Sequence, residues 1–253
     1  MDVPILFQEA YKKLWQLIAE KRISPPGRFL PYSFKTESKN LIYGVQENEY
    51  TRELINTINQ FSARLHRLVL WEEVISQYQE PESDELKFEF TRLVLYYLLH
   101  QPYEFRSRLI FSSTQLCYVR GLVSKSVAHI DVAEESNINF GSLEKVCRNW
   151  QTGGYLLDCV RAVNGNEFRS GTSNYRNRAQ HRIPPGIDFG HTNVVERRFP
   201  ATGGVSYSFG EASPLSTVEI VPLLVQESAR MNSAFHAYRM LVDEHVAQES
   251  SAT

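Results

Sequence analysis

The chain has 253 residues, 42% of them hydrophobic, 12% aromatic and 22% charged, which suits one globular unit and is far from a disordered composition. A formal net charge of −2 excludes a chain-wide basic surface, so any site for a polyanion has to be local. Three cysteines, Cys117, Cys147 and Cys159, form no Cys-x-x-Cys or Cys/His spacing, which argues against a disulfide framework and a structural zinc; no metal and no cofactor is expected. The charged, amphipathic N-terminus does not read as a signal peptide, and the densest apolar run, Leu93 to Leu99, is too short for a membrane span. The expected location is the cytoplasm.

In chain order, Leu6, Ala10, Leu14, Leu17 and Ile18 recur at helical spacing and predict a first helix over about 4–22, ended by Ser24-Pro25-Pro26-Gly27. A stretch without clear period runs to Gly44. A long helix is expected from Glu49 to about Gln79, carrying Leu54, Ile58, Phe61, Leu65, Leu68 and Trp71. Pro81-Glu82-Ser83-Asp84 starts another to about His100, and Pro102 opens the next, to about Val127. After the polar loop Asp131 to Asn139, a single helix is expected from Ser142 to Val163, holding both Cys147 and Cys159, with Asn164-Gly165-Asn166 as its stop. A short polar helix follows, over about 172–183. A β-hairpin over about 193–210 turns at Thr202-Gly203-Gly204, and a C-terminal helix spans about 214–247, with Pro222 either kinking it or marking its true start. Trp15, Trp71 and Trp150 read as core. The expectation is an all-α helical bundle with a small β-hairpin insertion, in a single domain over 1–253.

The short helix differs from the others in lacking an apolar stripe. It offers only Tyr175 and Ala179 to a core and displays Arg176, Asn177, Arg178, Gln180, His181 and Arg182. Ser170, Thr172, Ser173 and Asn174 are candidate caps for its first turn, whose N–H groups favour an anion. Residues 161–200 hold seven arginines (Arg161, Arg169, Arg176, Arg178, Arg182, Arg197, Arg198) against three carboxylates (Glu167, Asp188, Glu196), a surplus of four positive charges in an acidic chain.

These residue types suit phosphodiester chemistry. An imidazole exchanges a proton near neutrality, so His181 suits general acid or base work on a ribose 2′-hydroxyl or a leaving oxygen. Arg176 stays charged and forks two hydrogen bonds to a phosphate as charge builds on it. Asn177 shares a face with His181 four residues on, and can orient the ring. Arg178 and Arg182 are candidate contacts to an RNA backbone, and Tyr175 is either a packing anchor or a base-stacking ring. Arg176 and His181 lie about 140° apart around one helix. One helix alone therefore makes a poor site, whereas two copies across a two-fold axis can share one.

Arg176-Asn177-x-x-x-His181, in a short helix of an all-α chain, resembles the signature of the HEPN superfamily. That resemblance implies a HEPN-like bundle, a homodimer whose motif helices meet, and metal-independent endoribonuclease activity leaving a cyclic phosphate and a 5′-hydroxyl. It also implies a toxin or phage-defence setting, with an antitoxin or sensor protein as restraint.

Alternatives stay open. The segment also fits a solvated surface helix with His181 at its C-terminus. A catalytically inactive HEPN-like module that docks an antitoxin, sensor or nucleotidyltransferase would use the same face for contact only. A looser arginine–histidine pattern occurs twice more, as Arg230…His236 and Arg239…His245, on a helix with an obvious core stripe. His191 is a second histidine near the segment, and Glu144, Asp158 and Glu167 are candidate supporting carboxylates.

Overall fold

The computed structural model describes residues 2–20, 29–33, 38–123, 134–190, 195–200, 203–209 and 213–251. Apolar spacing at the N-terminus becomes helix α1 (Val3–Glu20), which buries Leu6, Ala10, Leu14 and Leu17. Trp15, expected in the core, is 65% exposed: it follows Leu14 by one residue and so stands about 100° off the buried stripe. Helix α2 (Leu41–Ile75) begins well before the expected Glu49. Asn40 caps it, its side-chain oxygen accepting from the Tyr43 N–H at 3.0 Å, and a cap outweighs the missing hydrophobic period.

Helix α3 (Glu82–Leu86) opens with Glu82, Asp84 and Glu85 in its first turn, a favourable match to the helix dipole. A π-helical turn (Lys87–Thr91) joins it to α4 (Arg92–Val123). The expected boundary at Pro102 does not exist, because Pro102 lies inside α4. Proline removes one hydrogen bond, to the carbonyl four residues back, and burial of Leu98 and Leu99 before it and Phe105 and Leu109 after it holds both sides helical.

After a 3₁₀ turn (Glu135–Asn137), α5 (Phe140–Cys147) starts from a reciprocal cap between Asn139 and Ser142. The single helix expected over 142–163 is two, α5 and α6 (Gly153–Ala162). The chain turns between them so tightly that a Cβ on Gly153 would sit 2.0 Å from the Cys147 carbonyl oxygen. Cys147 and Cys159 therefore occupy different helices.

Then come α7 (Asn166–Gly171), α8 (Tyr175–His181), strands β1 (Val195–Arg198) and β2 (Ser206–Phe209), and α9 (Thr217–Ser251). The strands pair antiparallel, Val195 with Phe209 and Arg197 with Tyr207, matching the expected hairpin. Helix α9 starts after the expected Ser213-Pro214 cap and contains Pro222. Its first turn is held from outside: Asp188 accepts from the Thr217 N–H (2.9 Å) and from the Thr217 hydroxyl. His191 and the predicted breaker at Ser24 to Gly27 lie outside the described residues.

The chain is an all-α helical bundle with a minor β element, and it divides into two compact units. The first comprises Met1–Ser24, Arg64–His100 and Asn166–Val225. Its core joins the α1 stripe to Leu70, Trp71, Val74 and Ile75 of α2 and to Leu86. Trp71 stacks on Phe90 at 4.2 Å, and Tyr11 meets both rings edge-on. The half-buried carboxyl of Glu72 beside them is pushed up to about 7, first by burial, then by Asp188, with Lys87 opposing.

The second unit comprises Pro25–Ala63, Gln101–Gly165 and Gln226–Thr253, and its interior is partly polar. Glu47, 1% exposed, accepts from Thr51 (3.0 Å) and from the Arg239 guanidinium, while Tyr238 bonds Thr51 at 3.2 Å. The Tyr43 hydroxyl lies 2.7 Å from His245 Nδ1, Cys117 Sγ lies 3.9 Å from its Nε2, and the Trp150 ring packs against the imidazole. Burial pushes the Tyr43 hydroxyl and the Cys117 thiol up and lowers His245 to about 3, with Arg120 adding to the last shift. His245 is thus a neutral ring hydrogen-bonded to Tyr43. Among the described residues no helix is long and apolar enough to cross a membrane.

Candidate functional site

Helix α8 has seven residues, and Tyr175 is its only buried side chain. A helix this short does not form unaided, so what holds it is tertiary. The Tyr175 ring, 6% exposed, meets the edges of Tyr96 (6.5 Å) and His100 (5.9 Å), both from the first unit's portion of α4. Burial is the first cause raising the Tyr175 hydroxyl, followed by Tyr96, with Arg92 opposing. Of the two roles open to Tyr175 in the sequence, packing anchor or base-stacking ring, this burial favours the packing anchor.

The expected side-chain cap is also absent. Asn174, at the N-cap position, adopts a left-handed conformation (φ 53°) and makes no capping bond, as does Ser173 (φ 51°), while the Thr172 hydroxyl donates back to the Phe168 carbonyl at 2.8 Å. Two consecutive left-handed residues reverse the chain between α7 and α8, a conformation that polar residues with short side chains tolerate best.

Arg176, Asn177 and Arg178 are partly exposed, and Gln180, His181 and Arg182 are exposed. The Arg178 Nε donates to the Ile183 carbonyl (3.2 Å), closing the helix C-terminus and stiffening the turn that precedes Pro184. At 1.5 Å per residue, Arg176 and His181 stand about 7.5 Å apart along the axis as well as about 140° around it. The helix displays both groups and does not bring them together.

Of the arginine-rich segment, Arg161 belongs to the second unit, where it pairs with Glu144 (3.2 Å) and Asp158 (3.1 Å). Those two carboxylates are thereby engaged within the second unit. Arg169 donates to the Asn166 side chain at 2.6 Å. Asp188 is committed to the start of α9, so its charge too is occupied.

Sequence reasoning missed Tyr96 and His100. With Arg92 they recur every four residues along α4, and that spacing marks a shared helical face. His100 Nδ1 lies 2.7 Å from the Tyr96 carbonyl, which can only accept, so Nδ1 carries a proton. Nε2 is buried, with no hydrogen-bond partner among the described residues.

In the second unit, a groove of about 880 Å³ runs between α2 and α4, lined by Tyr50, Glu53, Asn56, Arg108 and Phe111 among others. Arg108 is engaged there with Glu53 (2.6 Å) and Thr57 (2.7 Å). None of the motif residues lines it. No group of three or more His, Cys, Asp or Glu side chains that could hold a metal ion occurs among the described residues. No protein-family model, no curated protein and no solved structure matches this chain.

Proposed function

We propose that the chain is a metal-independent endoribonuclease of HEPN type, working as a homodimer in which two α8 helices face one another. The observation that carries this reading is a short helix that buries one side chain, Tyr175, and leaves Arg176 and Asn177 partly exposed and His181 exposed. A helix with a single buried side chain adds little to a core, so its motif is better explained by what it contacts.

In this mechanism Arg176 of one copy and His181 of the other flank the scissile phosphate. The ribose 2′-hydroxyl gives up its proton and attacks the adjacent phosphorus. Arg176 holds the non-bridging oxygens as negative charge builds on them, through two parallel N–H donors. His181 transfers the proton as general base or acid, and Asn177, four residues before it, orients the ring. The 5′-oxygen leaves protonated, and the products are a cyclic phosphate and a 5′-hydroxyl end. Arg178 and Arg182 supply charge for the RNA backbone on either side. An antitoxin or sensor protein that covers α8 would hold the activity in check.

Purified protein incubated with bulk RNA and a chelator tests the reading. Wild type is expected to cut and His181→Ala to leave the RNA intact. Cleavage by His181→Ala at the wild-type rate contradicts it, and so does intact RNA under every wild-type condition tried.

A further inference from the structure

The β1–β2 ribbon belongs to the same unit as α8, and its register sets Val195 opposite Phe209 and Arg197 opposite Tyr207. Alternation along a strand puts those four residues on one face. All four are exposed, Tyr207 at 59% and Phe209 at 80%, and Phe199 (70%) and Val205 continue the row beyond the strand ends. A two-stranded ribbon is marginal in water, and here its aromatic side chains contribute nothing to a core. Such a surface is costly to leave facing solvent unless it receives something.

We propose that this face is a platform for single-stranded RNA, on which bases stack against Tyr207 and Phe209 while Arg197 meets the backbone. The inference rests on the ribonuclease reading above and extends it to the strand beyond the cut. Three observations favour RNA as occupant. Arg197 is already poised over the Phe199 ring, 4.9 Å from its centroid, which makes a combined cationic and aromatic surface. The face contains an arginine and no carboxylate. Residues 166–209 carry six arginines against three carboxylates, one of which, Asp188, is committed to the Thr217 turn. Aromatic rings interleaved with arginine suit an unstacked strand, whose bases expose flat faces and whose phosphates supply charge. A duplex, with its bases already stacked, gains nothing from the rings.

The test measures binding of a fluorescein-labelled oligouridine to the full-length chain carrying His181→Ala, so that the probe survives. Adding Tyr207→Ala and Phe209→Ala is expected to weaken binding about tenfold or more, since each base–ring stack is worth at least about fivefold. Tyr207→Phe keeps the ring and is expected to bind as its parent does. Both truncated rings are exposed, so the melting temperature is expected to hold. An affinity within about twofold of the parent overturns the platform, whether or not the chain cuts RNA. Loss of dimer in sedimentation with RNA affinity retained overturns it too, by assigning the face to a second copy of the chain. If the parent binds through this face but wild type never cuts, the platform stands and the ribonuclease reading falls.

Discussion

An arginine followed by a histidine within a few residues occurs in both units, with opposite consequences. On α8 of the first unit, Arg176 and His181 ride a seven-residue helix and His181 faces solvent. On α9 of the second, Arg239 and His245 are drawn inward. Arg239 neutralises the buried Glu47, and His245 is hydrogen-bonded to Tyr43 beside the Trp150 ring. One pair is built into a buried polar network, while the other lies at or near the surface of its unit. The lesson is that spacing nominates residues, and the company each side chain keeps decides what it does.

The widest separation between the two pairs lies in activity. His181→Ala or Arg176→Ala is expected to lower RNA cleavage by about 10²- to 10⁴-fold, as loss of a general acid–base or charge-stabilising group does, with the melting temperature nearly unchanged. His245→Ala is expected to do the reverse, lowering the melting temperature while the folded fraction keeps its cleavage rate. Next in size is Arg239→Ala, which strands Glu47 without its countercharge. Urea unfolding should show a loss of about 3–5 kcal/mol, against less than about 1 kcal/mol for His181→Ala at the surface.

The pH dependence sharpens the comparison. His245 is held down at about 3 in the folded chain, whereas an unfolded histidine titrates near 6.5. Its stabilising difference is therefore complete above pH 6.5 and erodes as pH falls from there toward 3. Relative to His245→Gln, wild type should lose about 3 kcal/mol of stability between pH 7 and pH 4, followed by urea midpoints. Glu72, pushed up to about 7, has the opposite sign, because its folded carboxyl keeps its proton longer than the unfolded one. Its effect sets in as pH rises from 4.5 through 7, and Glu72→Gln should flatten that slope. The smallest effect is Arg178→Ala, which removes the bond to the Ile183 carbonyl: less than about 1 kcal/mol in stability and a few-fold in RNA affinity at low salt.

The periodic parts of the fold were legible in the sequence, and its discontinuities were not. Leu6, Ala10, Leu14 and Leu17 announce α1, and the Gly203-Gly204 turn announces the hairpin, because spacing and turn chemistry act locally. Pro102 misled because burial on both sides outweighs one lost backbone bond. The break between α5 and α6 was hidden because it depends on how closely Gly153 approaches Cys147, which no hydrophobic period records. In the candidate site, the missing apolar stripe of α8 could be read directly. Its anchor could not: Tyr96 and His100 meet Tyr175 from far along the chain.

The central claim is that α8 supplies half of a site shared between two copies, Arg176 from one and His181 from the other. Its most direct test mixes two inactive proteins, Arg176→Ala and His181→Ala, after subunit exchange. A mixed dimer then has one site with both groups intact and one with neither. With random exchange the mixture should recover roughly a quarter of wild-type RNA cleavage, while each variant alone stays inactive. A mixture no more active than its components would contradict the shared site.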